Sequence, residues 1–155
     1  MKNDIELYES FFQERKDYYL EKLEKYEKGK KFTFNYATLI FGLFWFLYRK
    51  MYLEVIIIYS LLILETLFEN LFLKHIIGEE QAIVFNICFT IVFLICIGFT
   101  GNLLYLKKSK RIIEKAKEKH SDYEEQKNFV TKKGGTSFLL VGILIVVIVI
   151  ILALK

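Results

Sequence analysis

From Met51 to Leu154 the chain alternates long apolar runs with charged stretches. Thr136 to Leu154 is nineteen residues without a charge, and Ala82 to Leu106 is twenty-five. At about 1.5 Å per helical residue, either run can cross a hydrocarbon core of roughly 30 Å. Met51 to Leu73 is a third such run, interrupted by Glu54, Glu65 and Glu69. Phe34 to Tyr48 is apolar and dense in aromatics but short for a full crossing. Arg49-Lys50 leaves no loop between it and the next run. The pattern there predicts an interfacial or re-entrant helix, lying in one leaflet of a membrane.

The polar segments read differently. Asn3-Asp4-Ile5-Glu6 resembles a capping box, and Tyr8, Phe12, Arg15, Tyr19, Leu23 and Tyr26 recur at three- and four-residue spacing. Glu21–Lys25, Glu24–Lys28 and Glu27–Lys31 are favourable i,i+4 pairs. These features predict one amphipathic helix over 4–28, ending near Gly29. Residues 107–130 predict a second charged helix, with a thin apolar stripe of Ile112, Ala116, Tyr123 and Val130. Gly134-Gly135-Thr136-Ser137 breaks it. The chain thus divides into an amphipathic helix (1–31), an interfacial helix and transmembrane hairpin (32–106), a basic helix (107–135) and a C-terminal transmembrane helix (136–155).

A hydrophobic content of 54% would suit a single soluble domain, but its clustering does not, because so short a chain cannot hide these runs. The net charge of +4 matters less than its placement. Residues 1–31 carry eight Lys/Arg, residues 107–133 carry ten, and Lys74 to Gln81 carries one. The positive-inside rule puts the first two in the cytoplasm and the third outside. The expected topology is multi-pass in a bacterial-type inner membrane, with the N-terminus cytoplasmic and the C-terminus external. Nucleic-acid binding is disfavoured, since eight acids balance the eight bases of residues 1–31. The opening charged helix is not a signal peptide's apolar core. Cys88 and Cys96, eight residues apart on one helix, stand roughly 12 Å apart, too far to bridge.

Two groups of residues invite a functional reading. Asn35, Thr38, Gly42, Trp45, Arg49 and Tyr52 fall on one helical face, with Lys50 beside them. Arg49 and Lys50 serve as topological anchors touching anionic lipids of the cytoplasmic leaflet, at about 1 kcal/mol each. The whole stripe also reads as a docking face for another membrane protein. Glu54, Glu65 and Glu69 share a face of the first span, and Asn86, Thr90 and Asn102 on the second are candidate partners. That network is either a proton or cation route or hydrogen-bonded glue between helices. No nucleophile–base pair, phosphate loop or zinc spacing is visible, so neither an enzyme nor a cofactor is expected. His75 and Glu79, with Glu80 adjacent, lack a third ligand of the right kind for a metal site.

Tyr18-Tyr19, Phe34-Asn35-Tyr36-Ala37, Phe41-Gly42, Trp45, Tyr48-Arg49-Lys50-Met51-Tyr52, Gly101-Asn102-Leu103-Leu104-Tyr105-Leu106 and Gly134-Gly135-Thr136 carry a resemblance. Together they resemble the uncharacterised family of small bacterial membrane proteins catalogued as domain of unknown function 2628. Tyr36 stands where Trp is expected in that family and keeps the aromatic role. The resemblance implies an integral membrane protein and supplies no activity.

The expected architecture is therefore an all-α integral membrane protein. It has three transmembrane helices, an aromatic interfacial or re-entrant helix and two cytoplasmic amphipathic helices. The expected function is that of a non-enzymatic adaptor binding another protein, with an immunity-type protein as one form and a homo-oligomer as a variant. The alternative is a small transporter or channel subunit using the acidic face of the first span.

Overall fold

The computed structural model describes residues 2–154, and among them every regular element is helical. The helices are α1 (Lys2–Phe12), α2 (Lys16–Glu27), α3 (Tyr36–Phe41), α4 (Leu43–Tyr48), α5 (Tyr52–Ile77), α6 (Glu79–Lys119), α7 (Tyr123–Lys133) and α8 (Leu139–Ala153).

The helix expected over 4–28 is two helices. Gln13 and Arg15 take positive φ values of 52° and 58°, which end α1 and start α2 on a new axis. This turn costs backbone energy and is held by tertiary contacts: Gln13 Nε2 donates to the Thr131 carbonyl at 2.9 Å. Asn3 lies inside α1, so it is not the cap that the sequence suggested. At the far end of α2, Gly29 takes φ 89°. The Gly29 and Lys30 amides bond back to Tyr26 and Lys25, a Schellman closure.

The segment 34–48, expected as one interfacial helix, is not a single helix. Gly42, at φ 51°, divides it into two six-residue pieces. α4 closes with a second Schellman pattern, Lys50 N–H to Leu47 and Met51 N–H to Phe46. Here a lysine, Lys50, occupies the left-handed position at φ 55° where glycine is usual.

α6 is the largest departure. The apolar run and the basic helix after it form one unbroken rod of 41 residues, about 60 Å long. The basic stretch ends at His120. α7 then begins separately, with the Asp122 carboxylate accepting from the Glu125 amide.

The rod joins two regions. Its C-terminal half packs with α1, α2, α4 and α7 into a head whose core includes Leu7, Phe11, Phe12, Trp45, Phe46 and Tyr105. Tyr105 sits at the centre, with ring centroids 4.8 Å from Tyr19, 5.4 Å from Phe11 and 5.7 Å from Phe12. Such aromatic pairs add about 0.5–1.5 kcal/mol each beyond area burial. In the other region α5 and the N-terminal half of α6 form a hairpin turning at Gly78, where φ is 84°. Only 11% and 17% of their apolar stretches are buried. Both helices are long and apolar enough to cross a membrane. α8 is apolar but spans 15 residues, and none of it is buried.

Candidate functional site

Asn35 ties α3 to the rod. Its side-chain oxygen caps α3 by accepting from the Thr38 amide at 3.1 Å. Its backbone N–H donates to the Gly98 carbonyl at 2.8 Å, and its side-chain amide donates to Asn102 Oδ1 at 3.0 Å. Asn102 in turn directs its own amide toward the Tyr18 hydroxyl at 3.0 Å and Thr33 Oγ1 at 3.1 Å. Glycine makes this approach possible. A Cβ on Gly101 would stand 2.5 Å from Thr38 Oγ1, and one on Gly98 would press on Phe34.

Arg49 is the second buried polar centre, 3% exposed. Its guanidinium donates to the carbonyls of Phe12 and Glu14, each at 3.3 Å, and to the Tyr105 hydroxyl at 3.5 Å. It also lies over the rings of Tyr19, Tyr105 and Tyr48, with 4.8, 5.2 and 5.6 Å to the centroids. The strained Gln13–Arg15 turn is what aims the two carbonyls at it. Among the described residues no carboxylate pairs with Arg49, and its Nε has no hydrogen-bond partner. Burial holds the neighbouring Tyr19 hydroxyl above its ordinary pKa, an effect the Arg49 charge opposes.

Lys108 closes the same junction from the rod. Its ammonium donates to the carbonyls of Lys50 at 2.7 Å and Arg49 at 3.1 Å, the free acceptors at the C-terminus of α4. Burial pushes its pKa down to about 8, against the opposing pull of Glu54. Lys50 reaches away to the Gly134 carbonyl at 2.7 Å.

A groove of about 640 Å³ opens beside Arg49. Arg49, Arg15, Tyr18 and Tyr19 contribute polar groups to its lining, and Phe41, Phe44, Phe138, Val141 and Ile145 contribute apolar ones. Glu14 is on the groove too, where its carboxylate accepts from the Tyr48 hydroxyl.

The structure redistributes the residues singled out from sequence. Asn35, Thr38, Trp45 and Arg49 are buried against the rest of the chain, so they do not form an outward docking stripe as expected. Asn35 and Thr38 pack inward on Gly98, Gly101 and Asn102, while Trp45 and Arg49 pack on Tyr105. Gly42 and Lys50 are half-buried, and Tyr52 is exposed. Of the expected intramembrane network, Asn86 donates to Glu69 at 2.7 Å and to Glu65 at 3.4 Å. A π-helical turn over Glu69–Leu73 marks this point, and Glu69 is buried there. Thr90 is exposed and Glu54 half-buried, while Asn102 belongs to the Asn35 centre instead. Sequence reasoning missed Lys108, which reads as one of a run of stop-transfer cations. The signal was its place one turn after Leu104 and Tyr105, on the face that carries Gly101 and Ser109.

Residues 9–111 match the family model described as protein of unknown function (DUF2628), and the chain belongs to that family. The matched segment holds every residue of the Asn35–Asn102 and Arg49–Lys108 centres. Searches among curated proteins and among solved structures each returned no match.

Proposed function

We propose that this family member is a non-enzymatic adaptor of a bacterial inner membrane, presenting a rigid helical head on the cytoplasmic side to a protein partner. The observation that carries the reading is the unbroken α6 rod. One helix supplies both the apolar stretch of the hairpin and the core face of the head, so the head is held at a fixed height and orientation. A pore subunit has no evident need of that construction, whereas a docking platform does. The outer faces of α2 and α7 carry closely mixed charges, which suits a specific partner and disfavours bulk polyanion binding.

The orientation rests on the Lys/Arg distribution, which by the positive-inside rule supports a cytoplasmic position for both charged segments. α8 is then the third crossing, ending outside. At about 22 Å for its 15 helical residues, it crosses with help from the flanking residues 136–138 and Leu154 or from local thinning. The transporter alternative is less well supported, because Asn86 engages Glu65 and Glu69 within the hairpin.

The test is photo-crosslinking in intact cells from residues introduced at Glu24, Lys115 and Lys119 on the head and at Ile57 on the hairpin. A discrete heterologous adduct from the head positions is expected. Ion flux in reconstituted vesicles that vanishes with Glu65→Gln would replace this reading with the transporter one.

A further inference from the structure

We infer that the groove beside Arg49 is a binding site for one anionic phospholipid, its phosphate on the arginine end and one acyl chain along the apolar walls. The inference rests on the membrane reading above and adds a ligand to it.

The chemistry of the groove is two-ended. Phe41 comes from α3, Phe44 from α4, Phe138 from just before α8, and Val141 and Ile145 from α8 itself, and together they supply the apolar lining. α8 buries none of its residues, so this wall runs directly into the apolar surface that lipid would cover. The polar lining is Arg49, which is buried, and Arg15, which is exposed on the rim, with the hydroxyl-bearing rings of Tyr18 and Tyr19. A volume of about 640 Å³ lies inside the range of roughly 300–1,000 Å³ that small-molecule sites occupy.

Arg49 decides the sign of the ligand. A guanidinium only 3% exposed is costly to bury unless it is paired with a charge and fully hydrogen-bonded. Two carbonyls, a phenol and three ring faces solvate it in part. No carboxylate among the described residues forms an ion pair with it, and its Nε is unpartnered. A phosphate diester supplies both the charge and the acceptor oxygens. Glu14 lines the same groove, but its carboxylate is engaged by Tyr48. Arg15, on the rim, adds a second cation that disfavours a headgroup carrying its own positive charge.

The experiment reconstitutes the full chain in phosphatidylcholine discs containing a trace of spin-labelled phosphatidylglycerol or, separately, spin-labelled phosphatidylcholine. The immobilised fraction is then measured for each. Phosphatidylglycerol is expected to be retained about tenfold better, the gain of one desolvated charge-assisted contact. Val141→Trp fills the channel and should abolish the retained fraction. Arg15→Asn tolerates the left-handed backbone and should reduce the preference by about threefold. Arg49→Gln should erase the preference, with helicity by circular dichroism confirming that the head is intact. Glycerol phosphate, which lacks chains, should not compete. Equal retention of the two lipids, a preference untouched by Val141→Trp, or crosslinks showing a second copy of the chain in the groove would each overturn the inference. Insertion without preference sinks the lipid site alone, whereas failure to insert sinks the membrane reading with it.

Discussion

The side-chain amide of Asn35 donates to the side-chain oxygen of Asn102 across 3.0 Å, and both residues are buried. With the Asn35 N–H bond to the Gly98 carbonyl, it fixes where the segment 34–48 crosses the rod. Asn102 passes the link on to Tyr18 and Thr33, so α2, α3 and α6 meet at one polar point. Asn102→Leu should cost about 3 kcal/mol, because it leaves Asn35 and its neighbours unsatisfied in a buried site. Chemical unfolding in detergent measures this, and a loss under 1 kcal/mol would show that water takes over the role.

Gly101 and Thr38 form a tight crossing one residue away. Gly101→Ala places a methyl 2.5 Å from Thr38 Oγ1, which should destabilise the head by about 2 kcal/mol. Adding Thr38→Ala opens room for that methyl. The double variant should be more stable than the sum of the singles predicts, with a coupling of about 1 kcal/mol. Additive effects would mean that the two helices simply move apart.

Lys108 makes stability depend on pH. Its folded pKa, near 8, lies below the ordinary value of about 10.4, so the unfolded chain binds the proton more tightly. The burial penalty is fully present below pH 8 and fades as pH rises toward 10. Stability should therefore increase from pH 7.5 to 9.5, and Tm in detergent should rise with it. Lys108→Arg stays charged throughout and should flatten the rise. Above pH 10 the sign reverses, because burial pushes Tyr8, and burial with a hydrogen bond to Glu6 pushes Tyr123, up to about 12. Ionisation of those phenols favours the unfolded chain.

In the hairpin, Asn86 is the residue that matters. Asn86→Leu removes the donor to buried Glu69 and should weaken helix pairing by roughly 1 kcal/mol. Thr90→Ala, at an exposed position, should be silent. Glu65→Gln should be close to silent as well, since it keeps the shape and the hydrogen-bonding capacity. The readout is the detergent-unfolding midpoint of each variant.

Topology is testable independently. In a background lacking Cys88 and Cys96, a cysteine at Glu80 should react with an impermeant thiol reagent in intact cells. One at Lys119 should not. Both lie on α6, at opposite ends, so the pair reports the direction of the rod. Labelling at Lys119 alone would invert the orientation.

The apolar runs over 51–73 and 82–106 were legible from sequence as long helices, because stretches so apolar, the second of them free of charge, need their backbone groups satisfied within the segment wherever water is excluded. Gly29 and Gly78 ended helices as glycine does, through the left-handed backbone that only it adopts cheaply. The Asn35–Tyr52 periodicity was equally visible, but periodicity says only that a face is distinct. It does not say what the face meets. Whether it looked outward at a partner or inward at Gly98 and Gly101 depended on residues more than sixty positions away. The same holds for the charged segments. Lys107-Lys108 reads as the end of a span, yet the face carrying Gly101, Asn102, Tyr105, Ser109, Ile113 and Ala116 continues straight through it, and tertiary packing turned that face into the core of the head. The turn at Gln13–Arg15 lay beyond local rules altogether. Two non-glycine residues at positive φ are locally unfavourable, and they persist because the turn delivers two carbonyls to a buried arginine from a distant helix.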